Sequence, residues 1–151
     1  DYPLVLIGPQ PDQALVESLI HDSKVHGGEL HLLGHMAHDD PRLLYAYKNC
    51  RVFCLPSNYE TPGIAAMEAA LKGAPIVITE VGGTREYFGS QAGYIRPRSS
   101  QSLKNQLVKS WDTGRREDTA KILRTRLLND FSWASVAKKT VGQYGDLLNQ
   151  L

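Results

Sequence analysis

The segment Ser57-Asn58-Tyr59-Glu60-Thr61-Pro62-Gly63-Ile64-Ala65-Ala66-Met67-Glu68 sets two carboxylates around what reads as the start of a helix. Thr61 is a good N-cap, and Pro62 suits the first helical position, where its missing N–H costs nothing. Gly63 would follow with no side chain to obstruct the helix end. The N–H groups of Gly63 and Ile64 would then be free, and with the helix dipole they make an anion site. Glu60 stands in the loop before the helix, and Glu68 stands two turns in, on the face of Ile64. Carboxylates repel phosphate. They suit sugar and ribose hydroxyls instead, whose protons an ionised carboxylate accepts strongly. A phosphate-attracting helix start between two such acceptors describes a pocket for a nucleoside-diphosphate sugar. Taken alone, Glu60 reads as a solvated loop residue and Glu68 as a helix-surface residue; the pocket reading belongs to the pair.

The elements that must position this segment follow from hydrophobic periodicity. Apolar runs predict strands at residues 4–7, 30–33, 51–55, 76–78 and 93–95. Between them lie helical patterns. Residues 11–26 would turn Ala14, Leu15, Leu19 and Ile20 inward, and a helix from Pro41 runs through Leu43, Leu44 and Tyr47. Residues 62–72 stop at Gly73, the expected C′ position. A short helix follows near 84–88, and residues 101–149 read as three more. Strands that are apolar on consecutive positions predict burial on both faces, hence a parallel sheet with helices on each side. The expected fold is α/β: a Rossmann-like three-layer sandwich with a mainly parallel five-stranded sheet and a helical C-terminal tail, one domain over residues 1–151. Such sheets bind ligands beyond the carboxyl ends of their strands. The loops concerned carry Gly8, Gly34-His35, Ser57–Gly63 and Val81–Glu86.

Composition narrows the classes. A chain of 151 residues buries roughly 68–70% of its unfolded surface, enough for a core without staples. A net charge of +1 argues against a general nucleic-acid binder, which needs a basic excess. No apolar run approaches the ~18 residues of a membrane span, and no signal peptide is visible. The chain opens on Asp1 rather than Met, so sequence upstream is expected. Cys50 and Cys54 on one strand would have Cα atoms about 13 Å apart. That is too far to pair, since a disulfide needs less than about 7 Å. Free thiols suit a cytoplasmic setting. The Cys-x3-Cys spacing reads as a core strand rather than a metal site.

Other residues that could do chemistry have plainer roles open to them. His35 and His38 share a loop and His31 a strand, but a base-pocket role for His35 is preferred to a zinc trio; His21 and His26 read as solvated. Arg85 reads as a surface residue or the partner of Glu86 or another nearby acid, with phosphate contact as the alternative. Trp111 and Trp133 read as packing anchors. Arg115-Arg116 and Lys138-Lys139 read as solvated faces. In an intact protein either pair could approach an anionic membrane, so peripheral membrane association stays open.

The paired-glutamate segment, preceded by Leu55-Pro56-Ser57 and followed by Glu68-Ala69-Ala70-Leu71-Lys72-Gly73-Ala74-Pro75-Ile76-Val77, resembles the signature of family 4 retaining glycosyltransferases of the GT-B fold. Leu33-Gly34-His35 is similar to the family's loop beside the nucleobase. Val81-Gly82-Gly83-Thr84-Arg85-Glu86 is similar to its glycine-rich turn, and Phe131-Ser132-Trp133 to the opening of its last long helix. The resemblance implies the donor-binding half of an enzyme that transfers a sugar from a nucleoside diphosphate, UDP or GDP, to an acceptor in glycan or polysaccharide synthesis. It implies that Glu60 is catalytic, meeting hydroxyls of the transferred sugar, and that Glu68 holds the ribose. Ser57, Thr61, Pro62, Gly63 and Ile64 would line the diphosphate and sugar, with Gly8 at the same crevice, and Gly34, His35 and Met36 would lie against the base. No metal and no cofactor beyond the donor is implied.

The resemblance also implies an opening strand, a Gly-Arg turn with a downstream Lys, and an acceptor-binding half, none of which lies in these residues. The isolated chain is therefore expected to be inactive. For the chain by itself the expected strand order is 2-1-3-4-5, with residues 4–7 pairing directly with residues 51–55; a further segment in that slot is the alternative. The competing functions are a non-catalytic nucleotide-binding module and a sugar-nucleotide epimerase. An unrelated flavodoxin-like receiver is disfavoured, because Gly8-Pro9-Gln10 stands where its acids would be.

Overall fold

The computed structural model describes residues 3–9 and 12–149. They gather into two compact units, Asp1–Leu44 and Tyr45–Leu151. In the first, strand β1 (Leu4–Leu6) pairs in parallel with β2 (Leu30–Leu32), Leu4 opposite Leu30 and Leu6 opposite Leu32. Helix α1 (Gln13–His26) joins them, capped by Asp12, whose carboxylate accepts from Leu15 N–H at 2.9 Å. Helix α2 (Pro41–Asn49) starts in this unit and ends in the second. Its cap is Asp40, which accepts from Arg42 N–H at 2.8 Å. The side chain of Arg42, held against it, keeps the Asp40 carboxyl down at about 2.

The second unit holds β3 (Phe53–Leu55), α3 (Ile64–Leu71), β4 (Ile76–Thr79), α4 (Thr84–Phe88) and β5 (Gly93–Ile95). Helices α5 (Ser100–Thr113), α6 (Glu117–Phe131) and α7 (Trp133–Leu148) follow, the three helices expected of the tail. The strands run in parallel in the order β3-β4-β5, with Leu55 opposite Ile78 and Thr79 opposite Ile95. Helix α3 packs on β3, β4 and α6, and α5 packs on β4 and β5. Buried Ala66, Ala69 and Ala70 give α3 a face with little side chain, which lets its backbone come close to its neighbours. Phe88, Ile78 and Val77 are fully buried. Each such side chain contributes roughly 1.5–3 kcal/mol by leaving water.

Helix α3 ends as its sequence predicts. Gly73 takes a left-handed φ of 81°. Its N–H reaches Ala70 O and that of Ala74 reaches Ala69 O, the double bond pattern that satisfies a helix C-terminus. Ser132 caps α7 by accepting from Ser135 N–H.

Several expectations are corrected. The five strands are present and parallel, but they form a pair and a triplet rather than one sheet, so the 2-1-3-4-5 order does not hold among the described residues. Each pairing is instead with the next strand in sequence, joined by a single crossover helix: β1-α1-β2 in the first unit, β3-α3-β4 and β4-α4-β5 in the second. Burial on both faces holds for β4 alone, the central strand of the triplet; β1 is exposed throughout. Helix α1 buries none of its residues, with Leu15 and Ile20 exposed, because a two-stranded ladder offers too little surface to cover it. Trp133 is 87% exposed and anchors nothing. Cys50 follows α2 instead of lying on β3, and both thiols are free and half-buried. Burial pushes the Cys54 thiol up to about 11.

Candidate functional site

Glu60 lies beyond the carboxyl end of β3, on the side predicted for a ligand. The loop that carries it prolongs the sheet: Glu60 N–H donates to Val81 O at 3.2 Å, and Gly83 N–H donates to Glu60 O at 3.0 Å. These bonds form a parallel bridge between Glu60 and Gly82. A Cβ on Gly82, whose φ is +102°, would collide with the backbone of Glu60. The glycine-rich turn therefore sits directly against the Glu60 backbone. The turn is braced from below: buried Thr84 donates its hydroxyl to Thr79 O at 2.8 Å, and Val81 N–H donates to Thr79 Oγ1 at 3.3 Å.

The start of α3 differs from the predicted capping. Thr61 is not the N-cap and Pro62 is not in the first turn; the Thr61–Pro62 peptide is cis, and Gly63 is the cap at φ 78°, ψ 63°. A Cβ on Gly63 would lie 3.0 Å from Ile78 Cδ1 and 3.6 Å from Leu55 Cδ2. The left-handed turn at this tight spot holds Thr61 and Pro62 outside the helix. The first helical bond runs from Met67 N–H to Gly63 O. The N–H groups without helical partners are those of the first turn, beginning at Ile64. Glu68 is thus little more than one turn into α3, on the same face as exposed Ile64.

Each glutamate is held by one hydroxyl. Ser57 donates to Glu60 Oε1 at 2.7 Å. Glu60 Oε2 is 3.7 Å from where a Gly63 side chain would begin, so the carboxylate overhangs the helix start. Tyr47, on the last turn of α2, donates to Glu68 Oε2 at 3.2 Å. Tyr47 is 5% exposed and meets the Phe53 ring edge-on at 5.6 Å. Burial, and then the Glu68 charge beside it, push its phenol up to about 12. Below that pH it can only donate to the carboxylate.

The structure therefore brings Ser57, Glu60, Thr61, Pro62, Gly63, Ile64 and Glu68 together at one edge of the second unit. Gly8, Gly34, His35 and Met36 belong to the first unit. There Gly8 N–H donates to Gly34 O at 2.9 Å, beyond the carboxyl ends of β1 and β2; His35 is exposed and Met36 is buried. Arg85 pairs with a nearby acid, as expected, and that acid is Glu80 rather than Glu86. Arg85 meets Glu80 at 3.2 Å and stacks 4.1 Å from the centre of the Tyr94 ring. Sequence reasoning missed Tyr47, Thr79 and Thr84 as supports. Tyr47 lies 21 residues from Glu68, and no local pattern announces the pair.

The family described as Glycosyl transferases group 1 is matched over residues 1–122. The glycogen synthase of Mycobacterium tuberculosis is 34% identical over 116 residues, 74% of this chain and 27% of that protein. HepE of Anabaena, solved in complex with UDP, aligns with a TM-score of 0.64 at 26% identity, over 97% of this chain and 40% of that one. A glycosyltransferase from Rickettsia africae matches in fold with a TM-score of 0.77 at 18% identity, over 98% of this chain and 40% of that one. The chain spans about a quarter of the length of the curated relatives it matches.

Proposed function

This chain belongs to the group 1 glycosyl transferases, and from that premise we propose that it is the donor-binding half of a retaining enzyme. The enzyme would move a sugar from UDP or GDP to an acceptor in glycan or polysaccharide synthesis. The observation that carries the reading is the pair of carboxylates, Glu60 and Glu68, each fixed by one hydroxyl on either side of the α3 start. The α3 N-terminus draws the diphosphate without a metal. Glu68 accepts from the ribose hydroxyls. Glu60 meets the transferred sugar, where charge develops. The UDP complex of the similar HepE supports a nucleotide site, and the free thiols of Cys50 and Cys54 support a cytoplasmic setting. The acceptor is read by sequence outside these residues.

The test is calorimetry and turnover on the full-length protein against a panel of sugar nucleotides, with chelator present. Glu68→Ala should weaken nucleotide binding by about 1.5–3 kcal/mol, ten- to a hundredfold. Glu60→Ala should lower turnover more than affinity, because the lost contact belongs to the transition state. A Glu60→Ala enzyme with intact turnover and poor nucleotide binding would reverse the two roles. Binding that required magnesium would end the metal-free reading, and an isomerised sugar nucleotide as sole product would make the protein an epimerase.

A further inference from the structure

We infer that Tyr47 is a positioning residue: by fixing Glu68 it makes the nucleotide site selective for an intact ribose. The inference rests on the proposed role of Glu68 as the ribose acceptor. A glutamate side chain has three rotatable bonds, and ordering it on binding costs conformational entropy. In this structure that order exists beforehand. The Tyr47 hydroxyl holds Oε2 at 3.2 Å, and among the described residues no other side chain donates to the Glu68 carboxylate. One oxygen is fixed, so Oε1 points in a set direction and can take a hydroxyl proton.

Tyr47 is itself held at its ring and at its carbonyl. Its ring is buried and stands edge-on to Phe53 of β3. Its carbonyl accepts from Arg115 Nη2 at 3.1 Å. The same guanidinium reaches Lys72 O at the end of α3, so one arginine ties the helix that carries Tyr47 to the helix that carries Glu68. A phenylalanine would fill the same space, which means that packing alone does not explain the hydroxyl. A buried tyrosine hydroxyl needs a partner, and here the partner is the carboxylate that the ligand would use.

The experiment measures binding of UDP and GDP to the full-length protein, and takes the tighter one together with its 2′-deoxy and 3′-deoxy analogues. Wild type, Tyr47→Phe, Glu68→Ala and the double variant are compared, with melting temperatures recorded for each. Tyr47→Phe should weaken the ribonucleotide three- to tenfold and leave the analogue lacking the recognised hydroxyl unchanged, so that discrimination falls. In the Glu68→Ala background the same change should have no further effect. Equal weakening of ribo and deoxy forms by Tyr47→Phe, or an additive loss in the double variant, would show a structural role and overturn the inference. Full ribose discrimination retained by Glu68→Ala would instead overturn the reading of Glu68 on which it stands.

Discussion

The backbone of Glu60 occupies the space in which a side chain on Gly82 would begin. Only a residue without a Cβ lets the glycine-rich turn bridge to Glu60, and the φ of +102° adds a second reason for glycine. Gly82→Ala should therefore push the Glu60 loop away from the sheet. The expected result is a stability loss of about 1–3 kcal/mol, the range for backbone strain, together with loss of turnover. Gly27→Ala is the control: its φ is +70° with nothing within 4 Å of the added carbon. If both variants kept full turnover in the full-length protein, the bridge would have no part in placing Glu60.

Ser57 gives a gentler way to disturb the same carboxylate. It donates to Glu60 Oε1 at 2.7 Å from the loop that follows β3. Ser57→Ala removes that donor and no backbone contact. A hydrogen bond to a charged group is worth about 1.5–3 kcal/mol, so turnover should fall roughly ten- to a hundredfold if the bond sets the reacting geometry. Nucleotide affinity should hardly move. Affinity falling in step with turnover would place Ser57 on the ligand itself.

Arg115 reaches three backbone carbonyls of the second unit. It donates to Cys50 O at 3.3 Å (Nε) and 3.0 Å (Nη2), to Tyr47 O at 3.1 Å and to Lys72 O at 3.3 Å. These carbonyls close the C-terminal ends of α2 and α3, where a cation also meets the negative end of each helix dipole. Arg115→Ala should cost about 1–3 kcal/mol, at the lower end if water replaces the exposed bonds. Arg115→Lys should recover less than half, because a compact ammonium cannot span three carbonyls. Denaturant unfolding followed through Trp111 fluorescence reads the difference. A lysine variant as stable as wild type would reduce Arg115 to a point charge.

Local signals carried much of this. Five apolar runs became five parallel strands; Gly73 marks a helix end where its chemistry predicts, and Glu60 stands beyond the carboxyl edge of its strand. What could not be read depends on partners distant in sequence. Thr61 and Pro62 have every local mark of a helix start. The left-handed backbone of Gly63, set close against Ile78 and Leu55, decides otherwise and begins the helix after it. Leu15, Ile20 and Trp133 show helical periodicity, but periodicity names a face without saying what covers it. Tyr47 reads as core from its neighbours Leu43 and Leu44, and nothing local says that its hydroxyl belongs to Glu68. Arg115 reads as a solvated charge, although its carbonyl partners lie 43 to 68 residues away.

Tyr47 also fixes how the protein should respond to alkali. Burial first, and the adjacent Glu68 charge second, raise its phenol from the ordinary 10 to about 12. Between these values the unfolded chain ionises at this residue and the folded chain does not. The unfolded state then binds fewer protons, so stability falls as pH rises. The contribution is present in full below pH 10 and is lost as the pH climbs to about 12. Tyr47→Phe lacks the ionisation, so its melting temperature should fall less steeply than that of wild type over this window. Glu68→Gln removes the second cause and leaves the burial, so it should lessen the steepness without abolishing it. The difference in tyrosinate absorbance between wild type and Tyr47→Phe should show one phenol titrating near pH 12 in the folded protein. A missing phenol that titrates near pH 10 instead would mean that Tyr47 is neither buried nor bound to Glu68 in solution.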